Sequence, residues 1–172
     1  QYYCGMLDVY SDLTQQSVVF GNHFELLEVC QLHKLREAVT NRQVAVKLKQ
    51  FRREFAVSPE CEKGELIRAA RTSCALDALV KLHDLGALAY YLESEESYAY
   101  RDIVTSVIPG NTLLTGHNVP VAGECEIKNV QAMKIMHLFG VGGSFSEFYL
   151  SDFEDDVVFL GHDGPAHFAI AE

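Results

Sequence analysis

One apolar run, ALAYYL at residues 87–92, constrains the fold more than any other part of this chain. It is apolar throughout and has the length of a strand, which is typical of a parallel strand covered on both faces. The segment before it, residues 65–84, carries a broad apolar stripe and predicts the longest helix of the chain, ended by Gly86. A buried strand directly after a long helix favours an α/β layered fold.

The alternation of helix and strand continues through the first 143 residues. Thr40 is expected at a break or as a helix N-cap, and Pro109 is expected to stop a helix. Apolar spacing predicts further helices at residues 6–19, 32–39, 44–55, 100–108 and 127–139, and a further strand at 24–29.

The pattern changes after a glycine-rich segment at residues 140–143. Short strands are predicted at 145–149, 157–160 and 167–171, separated by turns rich in Asp and Gly. We therefore predict a domain boundary near Gly142. Residues 1–143 would form an α/β domain, and residues 144–172 would begin a β-rich domain.

Composition argues against several classes of partner. The formal net charge is −10, from 14 basic and 24 acidic residues, which argues against a nucleic-acid-binding surface. No apolar run approaches the roughly 20 residues of a transmembrane helix, so no membrane partner is expected. The five cysteines form no CxxC pair, which predicts reduced thiols in a cytoplasmic protein and no zinc site built from cysteines.

Both ends of the chain indicate a longer protein. The chain opens on Gln1 rather than on Met, and its last residues, FAIAE, have the pattern of a strand that continues. We therefore expect a fragment whose α/β domain is incomplete at its start.

Two carboxylates and one imidazole are the strongest candidates for chemistry. Glu147 lies among aromatic residues, and His162 follows an apolar run of strand length. Glu124 comes after Gly123 at the start of a predicted helix, where the helix N-terminus favours an ionised carboxylate; Glu126 is a nearby alternative. Carboxylate and imidazole together suit Mn²⁺, Fe²⁺, Zn²⁺ or Co²⁺, and three such ligands would begin to hold one ion.

A simpler interpretation stays open from spacing alone. In that interpretation Glu124 is an ordinary helix-start residue, Glu147 lies on an edge strand and His162 belongs to a solvated Asp-Gly-Pro turn. Tyr90 and Tyr91 could stack on a sugar ring or simply pack in the core. No phosphate-binding loop, dinucleotide-binding glycine motif or nucleophile elbow is present.

Three runs carry a resemblance to a known family. They are VPVAGECEIKNVQAMKIM at 119–136, GGSFSEFY at 142–149 and VFLGHDGP at 158–165. Together they resemble the L-arabinose isomerase family, within the wider L-fucose/L-arabinose isomerase superfamily. Residues 2–14 and 102–112 are similar to the same family, so the resemblance covers essentially the whole chain.

The resemblance implies a fold, a site and an assembly. The fold is a Rossmann-like parallel sheet with flanking helices, followed by the first strands of a β-rich domain. Glu124, Glu147 and His162 match the family's metal ligands, and both glutamates are implied to be catalytic. Met6 and Tyr100 fall near positions that line the family's sugar pocket. The implied cofactor is Mn²⁺ or another divalent metal, and the implied assembly is a homo-oligomer, a trimer or a hexamer.

The implied reaction moves a proton between C1 and C2 of a sugar through an enediol. Glu124 and Glu147 would exchange the roles of base and acid. The family's fourth ligand, a histidine far downstream, has no counterpart in this chain, so this fragment alone is expected to be inactive and to bind metal weakly. The residues that flank the site depart from the family pattern at 125–128 and after His162, which leaves the sugar open.

Two functions of other classes remain as alternatives. The first is a sugar-binding or assembly module that has the fold without the chemistry, since fold does not imply function. The second is a metal-dependent hydrolase, which would need a metal-bound water and a separate base.

Overall fold

The computed structural model describes residues 13–91 and 98–170, and within them the chain has a mixed α/β fold. The helices are α1 Leu13–Phe20, α2 Val29–Glu37, α3 Asn41–Glu54, α4 Lys63–His83, α5 Tyr98–Val104, α6 Ile108–Gly116 and α7 Ile127–Leu138. The strands are β1 Leu88–Ala89, β2 Val121–Ala122, β3 Glu147–Asp152 and β4 Val157–Gly161, and a short 3₁₀ turn covers Phe168–Ile170.

Helix α4 is the centre of the helical core. It packs against α2, α3 and α6, and its length confirms the long helix predicted at 65–84. Small side chains at Ala70 and Ala75 are fully buried and let the neighbouring helices approach closely, while Leu76 fills the space towards α6. The helix ends at Asp84, which takes a left-handed conformation with φ of 50°.

Helix α3 begins where its sequence predicts an N-cap. The Thr40 hydroxyl oxygen accepts a hydrogen bond from the Gln43 backbone N–H at 3.3 Å, and the Gln43 side chain accepts one from the Thr40 backbone N–H at 2.9 Å. This capping box satisfies two backbone donors that a helix start otherwise leaves unpaired. Val44 and Phe51 then face the core on one side of the helix.

The apolar run at 87–92 forms a shorter strand than predicted. Within the described residues, only Leu88 and Ala89 are in strand conformation, and they pair in parallel with Val121 and Ala122. The predicted parallel pairing is confirmed for these residues. Of these two strands, only β2 is completely buried, since its two residues have no exposed surface, whereas β1 is half-buried. In the described part of the chain, parallel pairing is confined to this pair, so the wider sheet of a Rossmann-like fold is not seen.

Two predicted elements are wrong. Residues 24–28 have no regular structure where a strand was predicted, and α2 begins at Val29. A capping box explains the start, because Gln31 accepts a hydrogen bond from the Glu28 backbone N–H at 3.0 Å. Pro109 does not stop a helix; it lies in the first turn of α6, where its missing N–H costs no hydrogen bond.

The predicted strands near 145–149 and 157–160 are confirmed as the hairpin β3–β4. The strands are antiparallel, and the register shifts by one residue between Phe148 and Leu150, so Tyr149 forms a bulge. The Asp152 side chain closes the turn by accepting hydrogen bonds from the backbone N–H groups of Glu154 and Asp155, at 2.9 and 3.2 Å.

The third predicted strand, at 167–171, is wrong over its described residues. Phe168 to Ile170 form a 3₁₀ turn instead. The reason is packing, because the Phe168 ring meets Phe55 and His117 edge-on, with centroids 5.8 and 5.7 Å away. These contacts hold the segment against the helices rather than beside the hairpin.

The four cysteines among the described residues, Cys30, Cys61, Cys74 and Cys125, carry free thiols, as predicted. Burial raises the pKa of the Cys74 thiol above its ordinary value, which keeps that thiol protonated.

Of the helices between Leu13 and the chain's last described residue, none combines the length and the apolar character needed to cross a membrane.

Candidate metal centre

Glu124 is held in a tight turn between β2 and α7. The turn is tied to β1, because the Cys125 backbone N–H donates to the Tyr90 carbonyl at 2.9 Å and Tyr90 N–H donates to the Ala122 carbonyl at 3.1 Å. Glu124 and Cys125 both have positive φ values, 52° and 56°. Left-handed conformations are unfavourable for residues with a Cβ, and such strain concentrates at functional sites. The turn therefore orients Glu124 at the carboxyl ends of both parallel strands.

Glu147 and His162 come from the two strands of the hairpin. Glu147 is the first residue of β3 and pairs with Gly161, the last residue of β4. His162 follows Gly161 directly, so the antiparallel register brings the carboxylate and the imidazole to the same end of the hairpin. Two residues separated by fifteen positions in sequence thus become neighbours through backbone pairing alone.

The three predicted ligands converge. One ligand atom from each of Glu124, Glu147 and His162 lies within 4.8 Å of the other two, and all three residues are half-buried. Ligands on opposite sides of a small divalent ion are about 4 Å apart, from bonds of about 2.1 Å. Two carboxylate oxygens and one imidazole nitrogen form a donor set suited to a first-row divalent cation. The arrangement therefore fits a metal ion with open coordination positions.

The imidazole of His162 is closely packed. Its side chain is only 9% exposed, and its ring centroid lies 4.3 Å from that of Phe145. Gly123 and Gly164 lie against the ring: a Cβ at Gly123 would be 3.0 Å from Cε1, and one at Gly164 would be 2.7 Å from Nδ1. Both glycines are needed because any side chain at either position would push the ring away from its place.

A cavity is lined by two of the three candidate ligands, Glu124 and His162. Aromatic and aliphatic side chains line the rest of it. The wall residues beyond the two ligands are Tyr90, Tyr91, Val104, Val107, Ile108, Gly123, Asp163 and Gly164. A lining that combines carboxylate and imidazole groups with aromatic rings can hold a small polyol by its hydroxyls and its carbon face.

Tyr100 and Glu126 do not belong to this cluster. The Tyr100 ring meets the His33 ring edge-on, with centroids 5.3 Å apart, and packs against the helical core. Met6 lies outside the described residues, so both sugar-pocket assignments stay predictions. Glu126 is the N-cap residue of α7, and its carboxylate accepts a hydrogen bond from the Asn129 side chain at 2.6 Å.

Sequence reasoning missed the groups that support the ligands. Phe145 and Gly164 were seen only as parts of motifs, although each contacts the His162 ring. The signal for both was the unusual density of glycines and aromatics beside the predicted ligands. The aliphatic wall from α5 and α6 had no local signal, because those residues have ordinary helix spacing.

Comparison with known proteins assigns no family. No protein-family model matches the chain, and no curated protein matches it at a significant level.

Proposed function

We propose that this chain carries the metal centre of an aldose–ketose isomerase of the L-arabinose isomerase type. The observation that carries the proposal is the convergence of Glu124, Glu147 and His162, whose ligand atoms lie within 4.8 Å of one another. These three residues also match the family's ligand motifs in order. Mn²⁺ is the cofactor we propose, because oxygen-rich ligation with one imidazole suits that ion.

The two glutamates supply the proton chemistry in this proposal. Glu124 comes from the turn after β2 and Glu147 from the hairpin, so the carboxylates belong to separate elements and can address different faces of a bound sugar. One carboxylate takes the proton from C2 while the other, protonated, gives its proton to O1, which forms the enediol; the first then delivers its proton to C1 while the second takes the proton of O2, and the steps reverse in the back reaction. A divalent ion held by Glu124, Glu147 and His162 would supply Lewis acidity at the sugar oxygens.

The walls of the cavity support a small sugar as substrate. Tyr90 and Tyr91 line the cavity together with Glu124 and His162, and Val104 and Val107 add apolar surface to the same space. An enediol is easily protonated by water at the wrong position, so a partly apolar pocket favours clean isomerisation. Phe145 shields His162 on its other side.

The proposal extends to the surroundings of the site. We place β1 and β2 in a Rossmann-like sheet, and the protein in the cytoplasm as a homo-oligomer. The parallel pairing of Leu88 with Val121 supports the sheet, and the free thiols support the location. Exposed apolar side chains on the hairpin, such as Phe148 at 62% and Leu160 at 63%, support an assembly that covers them.

Replacement of either glutamate tests the proposal. In the protein that contains this chain, Glu124→Gln and Glu147→Gln should each reduce ketose formation from aldopentoses or aldohexoses by at least about 10³-fold, because each removes both a ligand and a proton-transfer group. The matched control is Glu154→Gln, which makes the same change in the exposed turn of the hairpin.

Three results of this assay separate the candidate functions. Near-normal turnover in either variant would contradict the isomerase. Sugar binding without ketose formation by the unchanged protein would instead favour a sugar-binding module. Metal-dependent cleavage of an ester or amide substrate, with no isomerisation, would favour a hydrolase.

A further inference from the structure

The buried nitrogen of His162 has no hydrogen-bond partner. Nδ1 is inaccessible to solvent and accepts or donates no hydrogen bond within the described residues. Buried polar atoms without partners are rare in proteins, because water no longer replaces the missing hydrogen bond. A metal-binding histidine normally donates from its other ring nitrogen to an acceptor that fixes the tautomer. The nitrogen therefore marks a place where an acceptor is required.

The two ring nitrogens face different surroundings. Nε2 lies towards Gly123, next to Glu124 in the chain, since a Cβ built at Gly123 would be 3.5 Å from Nε2. Nδ1 lies towards Gly164, at 2.7 Å from a Cβ built there. Nε2 is therefore the nitrogen on the side of the other ligands, and Nδ1 is the nitrogen that needs an outer partner.

Asp163 carries a carboxylate acceptor close to Nδ1. Its Oδ1 lies 3.8 Å from Nδ1, about 1 Å beyond hydrogen-bond distance. Its side chain is 99% exposed, so neighbouring side chains do not hold it in place. The adjacent Gly164 leaves room beside Nδ1 that a Cβ, at 2.7 Å from this nitrogen, would fill.

We propose that Asp163 is a positioning residue for His162. Its carboxylate accepts a hydrogen bond from Nδ1–H, which places the proton on Nδ1 and leaves the Nε2 lone pair directed at Glu124 and Glu147. Asp163 does not touch the metal or the sugar; it acts through the imidazole. This inference rests on the proposed function only in taking His162 as a ligand.

The tautomer of His162 gives a test that needs neither metal nor activity. Long-range ¹H–¹⁵N correlation spectra of the metal-free chain, recorded where the imidazole is neutral, distinguish Nδ1–H from Nε2–H; His162→Gln assigns the signal by its loss. We expect Nδ1–H in the unchanged chain, a shift towards Nε2–H in Asp163→Ala, and recovery in Asp163→Asn, whose amide oxygen can still accept. Asp155→Ala is the control, because it removes an exposed acid in the hairpin turn.

Mn²⁺ affinity is the second readout. Asp163→Ala should weaken Mn²⁺ binding by about 10- to 100-fold in calorimetric titration, with partial recovery in Asp163→Asn and no change in Asp155→Ala. A His162 tautomer that is the same in the unchanged chain and in Asp163→Ala would overturn the inference, as would a shift caused by Tyr90→Phe instead. The expected tautomers with no Mn²⁺ binding by any variant would leave Asp163 as the partner of His162 and would count against the proposed function.

Discussion

At the scale of single residues, the site depends on the glycines beside His162 as much as on the side chains that converge there. The three residues that converge could be selected as candidates from the sequence, because carboxylates and an imidazole stand out beside glycines and aromatics, although their roles as ligands came only from the resemblance. The positive φ values of Glu124 and Cys125 could not be predicted from the sequence, since nothing in their side chains favours a left-handed backbone. Tertiary hydrogen bonds to the end of β1 impose that conformation.

Gly164→Ala should weaken the metal centre. The added Cβ would lie 2.7 Å from Nδ1 of His162, and the ring cannot retreat because Phe145 covers it. We expect at least a 10-fold loss of Mn²⁺ affinity in calorimetric titration, comparable with the loss of an outer-shell contact. Gly143→Ala is the matched control, because a Cβ at that nearby glycine would meet no atom within 4 Å. Equal affinities for the two variants would refute the packing argument.

At the scale of secondary-structure elements, long periodic segments were predictable and short apolar ones were not. Helices α3 and α4 follow from apolar spacing and from the Thr40 cap. Residues 24–28 have strand-like composition, but a short apolar segment does not determine its own conformation, and the capping box of α2 prevails. Pro109 was equally ambiguous, because proline suits both the residue after a helix and the first turn of the next one.

Phe51 of α3 should be the most costly aromatic residue to remove from the helical core. It has no exposed surface and meets Phe55 edge-on at 5.6 Å, so Phe51→Ala leaves a cavity between α3 and α4. We expect a loss of about 3–5 kcal/mol in the free energy of unfolding, measured by urea titration. Phe153→Ala removes the same side chain where it is 92% exposed and should change stability by less than about 0.5 kcal/mol. Similar losses for both would mean that α3 does not pack as described.

At the scale of the whole molecule, the candidate metal centre joins two parts of the chain with different architectures. Glu124 follows the parallel pair β1–β2, and the other two ligands come from the antiparallel hairpin. The sequence motifs could name these residues through resemblance, but not the 4.8 Å convergence, which depends on strand pairing on both sides. The cavity wall could not be predicted from the sequence either, because Tyr90 and Val107 line one cavity only when α5, α6 and β1 are packed.

Metal binding should therefore stabilise the whole fold. An ion held by all three ligands binds only the folded chain, and at 100 times its dissociation constant it contributes about 2.7 kcal/mol. For a chain of this size, that corresponds to a rise in melting temperature of about 5–10 °C, measurable by circular dichroism with added Mn²⁺. The rise should disappear in His162→Ala and persist in His137→Ala, whose imidazole lies at the end of α7. An unchanged melting temperature in saturating Mn²⁺ would show that the three ligands do not act together.

The bulge at Tyr149 gives the hairpin an unequal tolerance to insertions and deletions. Because the extra residue sets Glu147 opposite Gly161 rather than opposite His162, deleting one residue between Phe148 and Leu150 would shift the pairing at the ligand end by one step. A change of length within the exposed turn at 153–156 leaves that end of the ladder in place. The chain should accordingly tolerate changes of loop length in this turn, and only substitutions between the bulge and the candidate ligands.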